Sequence, residues 1–219
     1  MNIVITAGGT REAIDPVRYI HNKSSGKQGI ALVEEAVKQG HQVTLIHTLE
    51  SEKVQHLKAH LIRVDSAEQM YHEVHLAMQT ADALIMCAAV ADYTPVEVST
   101  TKVKKTDAPE ITLTLKKTKD ILASFKDSNK IIVGFAAETG DSKHTVLEYG
   151  LKKLKKKACD MLVVNEVAEN KAFGQDTNTI DLIFKDERQA IHTSGSKNAV
   201  AAVIIQQLSQ LKKQVNTRS

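Results

Sequence analysis

The chain reads as an α/β protein of three-layer, Rossmann-like architecture, with a mostly parallel sheet, helices on both faces and an inserted strand arm. Three observations predict it. Short apolar, β-branched runs such as Ile131-Ile132-Val133 and Met161-Leu162-Val163-Val164 suit strands covered on both faces. These runs alternate with segments of helical period. The stretch Ile5–Gly29 holds four of the ten glycines between a strand and a helix. A strand feeding a helix through glycines leaves backbone N–H groups and a positive helix end facing one spot, where an anion is favoured.

Taken in order, Asn2–Ala7 is apolar enough to be a buried strand, and Gly26–Gly40 follows as a helix with Ile30, Leu32, Val33 and Val37 in period. The connection Gly8–Ser25 spends eighteen residues where such turns are normally short, and long ordered loops are usually functional. Gln42–His47 and the shorter His60–Val64 read as strands, Ala67–Thr80 as a helix and Ala83–Cys87 as an apolar strand. Tyr93–Lys119 is polar and reads as an insertion, in which the alternating Ile111–Leu115 predicts an exposed or edge strand. Alternation resumes with a helix at Asp120–Lys126, a strand at Lys130–Phe135, a helix at Lys143–Lys157 and strands at Asp160–Val164 and Thr179–Phe184. A final helix is expected from Ser196 to about Gln214, with Val215–Ser219 frayed. Length predicts one domain over 1–219, with the arm at about 93–119.

Composition narrows the classes. Hydrophobic residues at 42% and charged residues at 25% are ordinary for a soluble globular chain, but aromatics at 4% with no Trp disfavour base stacking. A net charge of +3 is too small for nucleic-acid binding over the whole surface, although lysines cluster at Lys102–Lys119 and Lys152–Lys157. Cys87 and Cys159 lack metal-site spacing and predict reduced core thiols, which fits the cytoplasm. No apolar run approaches the ~20 residues that span a bilayer, so neither export nor membrane insertion is expected. The nine histidines come without a matching carboxylate or cysteine set, and no metal site is predicted.

In sheets of this kind ligands gather beyond the carboxyl ends of the strands. The loops expected there are Gly8–Ser25, Ala88–Tyr93, Ala136–Asp141 and Asn165–Asn178. The first loop fits neither common phosphate motif: Gly26-Lys27 is followed by Gln28, not Ser or Thr, and Gly8-Gly9 lies far from Gly26 and Gly29. In Ala88-Ala89-Val90-Ala91-Asp92-Tyr93, small residues let a ligand press on the backbone, or simply let helix and strand pack closely. Lys102, Lys104 and Lys105 could close over a triphosphate or form a solvated charge run. Lys153 and Lys157 share one helix face near its C-terminal end, where they complement the helix dipole with or without a ligand. Lys152, Lys155 and Lys156 are expected to face solvent. Phe135 could wall a base or ribose, or pack in the core, and Asn165 could meet a base edge or start a turn.

Together these segments resemble the phosphopantothenate–cysteine ligase family. The likeness runs through Thr6–Glu12, Asp15–Ile20, Asn22–Lys27, Ala88–Tyr93, Lys102–Lys105, Val133–Thr139 and Phe173-Gly174. With no decarboxylase half in the sequence, the chain looks like the free-standing bacterial form. The resemblance implies a two-step reaction: the 4'-phosphopantothenate carboxylate attacks the α-phosphorus of CTP, accompanied by Mg²⁺, and the amine of cysteine then displaces CMP from the acyl-cytidylate. Activation comes first because a carboxylate is a poor acyl donor until its oxygen can leave. By motif, Asn22 would hold the substrate carboxylate and the acyl intermediate, with Arg18, Ala88 and Ala89 nearby, and Lys102 would serve in catalysis. Asp92, Lys102, Phe135, Lys153 and Lys157 would line the nucleotide site, shaped by Gly8, Gly9, Ser24, Gly26, Gly29 and Asn165. No flavin is implied, and the family's dimers suggest a homodimer reached through the arm. Three departures stand out: Gln28 replaces the usual Met, Thr118-Lys119-Asp120 replaces Thr-Pro-Asp, and Val164-Asn165-Glu166 replaces Ala-Asn-Asp.

Two rivals are weaker. Tyr149-Gly150-Leu151-Lys152-Lys153 matches the Tyr-x-x-x-Lys signature of short-chain dehydrogenases. The first loop, however, lacks closely spaced glycines for a dinucleotide, and no acidic residue follows the second strand at His47-Thr48. An RNA-binding module using the lysine clusters would show strongly salt-dependent affinity.

Overall fold

A computed structural model describes residues 1–104, 110–138, 145–166 and 175–218, the side chains of Glu166 and of 215–218 excepted. The first strand, β1 (Asn2–Ala7), is followed by a small hairpin, β2 (Arg11–Ala13) and β3 (Tyr19–His21), folded inside the long first loop. Helix α1 (Lys27–Lys38), β4 (Gln42–His47), β5 (His60–Arg63), α2 (Ala67–Met78) and β6 (Ala83–Met86) come next. The arm contributes β7 (Tyr93–Pro95) and β8 (Leu115–Lys117), which pair antiparallel. The chain then continues through β9 (Ile131–Glu138), α3 (Val146–Lys157), β10 (Met161–Glu166), β11 (Thr177–Phe184), β12 (Ile191–Ser196) and α4 (Lys197–Arg218).

Eight of these strands form one sheet in the order β5-β4-β1-β6-β9-β10-β11-β12. The pairs from β5 through β10 are parallel, and β11 and β12 add as an antiparallel edge. The first three of these strands in sequence step outward from β1 on one side; the chain then returns beside β1 and steps outward on the other. This reversal is the switch point of a Rossmann-like sheet, where a crevice opens beyond the strand ends.

The pleat sorts β1 between two cores. Ile3 and Ile5 join the core that holds Leu32 of α1 and Val200, Ile204 and Leu208 of α4, whereas Val4 joins Met70 and Val74 of α2 and Leu154 of α3. Helices therefore cover both faces, giving the three layers predicted. Gly29 lets α1 pack closely on β1: a Cβ there would stand 2.5 Å from the Ala7 Cβ. Capping boxes start α2 (Ser66 with Gln69) and α3 (Thr145 with Glu148).

The structure corrects several sequence expectations. The edge strand predicted at Ile111–Leu115 lies later, at Leu115–Lys117, because Tyr93–Pro95 offers only three residues of pairing. Ile111 and Leu113 are left exposed. The helix predicted at Asp120–Lys126 is a 3-10 turn at Ala123–Phe125. Seven residues are too few to repay helix nucleation, and the Asp120 carboxylate, which accepts from the Ala123 amide at 3.1 Å, is also engaged by Lys157. Strand β12, unforeseen, alternates half-buried and exposed residues and lacks an apolar run. Parts of the loops Ala136–Asp141 and Asn165–Asn178, the start of the helix predicted from Lys143, and Lys105, Thr139 and Phe173-Gly174 lie outside the described residues.

Candidate active site

At the switch point, the chain leaving β1 and the chain leaving β6 are laced together beyond the sheet. The Ala89 N–H donates to the Gly8 carbonyl at 2.8 Å, the Thr10 N–H donates to the Ala89 carbonyl at 3.2 Å, and Gly9 bridges Ala89. Two fully buried threonines complete the lacing: Thr6 Oγ1 accepts from the Ala88 N–H at 3.1 Å and Thr10 Oγ1 from the Ala91 N–H at 2.9 Å. Buried amides satisfied in this way hold a segment rigidly, since losing an acceptor strands a desolvated donor. Asn22 reaches across the gap, its Nδ2 donating to the Val90 carbonyl at 3.1 Å.

Two cavities of about 380 and 500 Å³ open beside this segment. The smaller is lined by Asn22, Ser24, Gly26, Gly29, Ala89 and Asn165. The larger is lined by Tyr93, Thr118, Asp120, Ile121, Lys156 and Lys157. Ala88, Val90, Asp92, Phe135 and Lys153 belong to both, so the two adjoin in a cleft across the carboxyl ends of the strands. Lys156, expected to face solvent, contributes to the larger one.

Most of the residues singled out from the sequence therefore converge, but Gly8, Gly9, Arg18, Lys102 and Lys104 do not line the cleft. Gly8 and Gly9 stand behind the wall. Gly8 has φ +89°, and a Cβ there would meet Thr48 Oγ1 at 2.2 Å, while one at Gly9 would meet the Asn22 carbonyl oxygen at 2.5 Å. Arg18 turns to Asp15, its Nε 3.0 Å from the carboxylate, and to the Val103 carbonyl at 2.8 Å. The Val103 N–H in turn donates to Asp15 at 3.1 Å, so this cluster anchors the root of the arm. The Arg18 guanidinium, followed by the amides of Val17, Val103 and Arg18, holds the Asp15 carboxyl far below the usual range despite burial. Lys102 is exposed beside this anchor and lines neither cavity.

The cations of the cleft differ in their partners. Lys153 Nζ sits 2.8 Å from Glu138, and Lys157 pairs with Asp120. Burial pushes the Asp120 carboxyl up, but the hydrogen bonds from Lys157 and Ala123 and the charges of Lys157 and Lys156 outweigh it and leave the group below its ordinary value. Helix α1 begins at Gly26, in the left-handed region at φ 72°, with no side-chain cap and no acidic residue in its first turn. Its amino end borders the smaller cavity through Gly26, Lys27 and Gln28. Of the dehydrogenase pattern, Lys153 is bound to Glu138, and the Tyr149 ring lies 5.7 Å from Lys152 Nζ.

Sequence reasoning missed several contributors. Glu12, buried, accepts from the Ala67 N–H at 2.8 Å and caps α2. Gln28 donates to the Lys197 carbonyl at 3.2 Å and accepts from Asn178 at 3.3 Å, tying α1, β11 and α4 together at the cavity rim. The Met-to-Gln departure thus comes with an amide partner on β11. Cys87 and Lys197 also line the smaller cavity. Burial pushes the Cys87 thiol up to about 12, with the Lys197 charge opposing, so the group stays protonated at neutral pH. Cys159 is likewise pushed up to about 12, chiefly by burial. Neither cysteine is in a disulfide.

Comparison with known proteins places this geometry. Residues 1–211 match the family model described as DNA/pantothenate metabolism flavoprotein C-terminal domain. The chain is 45% identical over 221 residues to the coenzyme A biosynthesis bifunctional protein CoaBC of Bacillus subtilis, a match covering 100% of this chain and 53% of that protein. It spans about half the length of the curated relatives it matches. Among solved structures it is similar to the C-terminal domain of a coenzyme A biosynthesis bifunctional protein CoaBC, at 33% identity and TM-score 0.77, covering 97% of this chain and 96% of that one. The DNA/pantothenate metabolism flavoprotein from Streptococcus pneumoniae follows at 25% identity and TM-score 0.79, covering 96% and 99%.

Proposed function

The chain belongs to the DNA/pantothenate metabolism flavoprotein C-terminal domain family, and on that premise we propose that it is a phosphopantothenate–cysteine ligase of coenzyme A biosynthesis, using CTP. The observation that carries this reading is the pair of adjoining cavities: the wall of Asn22, Ala88 and Ala89 and the wall of Phe135, Lys153 and Lys157 meet at Ala88, Asp92 and Phe135.

The nucleoside would lie in the larger cavity against Phe135, its phosphates directed towards the amino end of α1, where amides and the helix dipole favour anions. The 4'-phosphopantothenate carboxylate would sit at Asn22. Attack on the α-phosphorus forms a new P–O bond, breaks the bond to the bridging oxygen and releases pyrophosphate. The amine of cysteine then attacks the acyl carbon, loses a proton and expels CMP. Two anions meet in the first step, so cations at the cleft favour both approach and departure. Lys153 and Lys157 are already there, and Lys102 would join them by movement of the arm.

Among the described residues no cluster of three or more His, Cys, Asp or Glu side chains could hold a metal. Mg²⁺ would come in with the triphosphate and offset phosphate charge, and Asp92 is the carboxylate that lines both cavities. The exposed Val96, Val98, Ile111, Leu113 and Leu115 of the arm suit a homodimer. No helix among the described residues is long and apolar enough to cross a membrane, and two protonated, unpaired cysteines accord with a cytoplasmic setting.

Pyrophosphate release should be measured with CTP and then ATP, each with phosphopantothenate, with and without cysteine. The reading expects release with CTP before cysteine is added, and an amide product afterwards. Absence of release with either nucleotide would overturn it.

A further inference from the structure

Lys197 is the first residue of α4, only 8% exposed, and it lines the smaller cavity. Its backbone is clamped on both sides: its N–H donates to the Asp176 carbonyl at 3.0 Å and its carbonyl accepts from Gln28 at 3.2 Å. Its ammonium donates to the Thr177 carbonyl at 3.2 Å and forms no ion pair among the described residues. A buried ammonium held by one neutral acceptor is costly unless a counter-charge arrives.

The carboxylate nearby is divided: Asp176 is bound to Lys27 at 2.6 Å and reaches Lys197 only through its charge, without an ion pair. Cys87 stays a neutral thiol. No acidic residue occupies the first turn of α4 or of α1, and a lysine at the first helical position is opposed by the helix dipole. Burial first, and the Lys27 charge second, push the Lys197 ammonium below the ordinary lysine range, and the opposing charge of Asp176 does not make up the difference. The deficit points into a cavity that the uncapped amino end of α1 also borders, on the side away from the Lys157 wall.

We propose that Lys197 is a further anion-binding residue, whose ammonium takes the terminal phosphoryl oxygens of the nucleotide and so holds the departing pyrophosphate. This rests on the ligase reading for the identity of the ligand. In the bound state the ion pair supplies what the ligand-free cavity lacks, so binding energy is drawn from the phosphates and not from the base.

Lys197→Met and Lys197→Arg in the full chain test it. By calorimetric titration, the Met variant is expected to lose about tenfold or more in affinity for CTP and for inorganic pyrophosphate. CMP affinity should stay within about twofold, and Arg should recover most of the loss. The ligand-free Met variant should melt no lower than the unaltered chain, because it buries no unpaired charge. A purely structural clasp on Thr177 would instead lower the melting temperature and leave the CTP-to-CMP ratio unmoved, which would overturn the proposal. So would a loss confined to phosphopantothenate. If the unaltered chain releases pyrophosphate and the Met variant binds CTP equally well, only this inference fails; if the unaltered chain releases none, the ligase reading fails.

Discussion

Replacing Gly9 by alanine tests whether Asn22 is held in place by the packing behind it. Gly9 does not occupy the left-handed backbone region, so the cost of a side chain there is steric alone. The new Cβ would stand 2.5 Å from the Asn22 carbonyl oxygen and 2.7 Å from His21 Cε1. Ordinary contact begins near 3.4 Å, so the Asn22 segment must retreat by about 0.9 Å. It cannot do so freely, because its side chain is bonded to Val90 and Gly9 is itself bridged to Ala89. Overpacking of this kind costs about 1–3 kcal/mol, and each kcal/mol lowers Tm by about 2–4 °C in a chain of this size. Misplacing a substrate-positioning group by about 1 Å costs about 10²-fold in rate. Gly9→Ala is therefore expected to stay folded, to keep its CTP affinity within a few-fold, and to release pyrophosphate about 10²-fold more slowly in a single-turnover assay. Gly40→Ala is the control: at φ +80° with nothing within 4 Å, it carries backbone strain alone, about 1–2 kcal/mol, and should leave turnover intact. Normal turnover in Gly9→Ala, or an equal loss in Gly40→Ala, would refute the reasoning.

Other perturbations follow from the same geometry. Asn22→Asp exchanges the donor to the Val90 carbonyl for a carboxylate facing it and places negative charge where the substrate acid would sit; ligation should fall by about 10² or more, and near-normal turnover in the steady-state assay would remove Asn22 from its assigned place. Lys102→Gln changes an exposed residue outside both cavities, so Tm should not move while pyrophosphate release slows by about tenfold or more if the arm closes; an unchanged single-turnover rate would exclude that closure. Asp120 has a folded value below its ordinary 3.8, the Lys157 and Ala123 hydrogen bonds outweighing burial. Such a carboxyl adds stability that is fully present above its unfolded pKa and lost as pH falls through the folded one. Urea unfolding of Asp120→Asn should thus show lower stability at pH 7 and a flatter acid limb below about pH 4; an acid limb parallel to that of the unaltered chain would count against the pairing.

What the sequence made legible depends on whether the signal was local. Runs such as Ile131-Ile132-Val133 declare a strand because both faces are buried, and their place in the sheet follows from the alternation with helices. The hairpins β2/β3 and β7/β8 and the edge strand β12 carry no such run. They exist because a partner strand offers backbone donors and acceptors, and no local pattern records a partner. The same division runs through the site. Gly9 and the Ala88-Ala89 pair left a local sign, small residues where two stretches of backbone come close, whereas Asn22 entered only through the family resemblance. The threonines that hold the segment, Thr6 and Thr10, do so over 80 residues or more, at separations that only the fold reveals.

Lys197 is the instructive case, because it left a local trace that pattern reading passed over. Lysine is suited to the last turn of a helix, as Lys155, Lys156 and Lys157 are in α3. At the first position of α1 and again of α4, the chain instead carries Lys27 and Lys197, and neither first turn has an acidic residue. Each lysine opposes the field of its own helix, which destabilises the ligand-free protein. Lys27 relieves this by an ion pair with Asp176, and Lys197 forms no such pair among the described residues. A local electrostatic rule broken twice at one cavity marks where the chain has accepted a cost in stability, and such a cost is sensible only if a ligand offsets it. The rule could have been checked before the fold was known. That the two violations face one cavity, and that one of them remains buried with no ion pair among the described residues, needed the fold to bring residues 27 and 197 together.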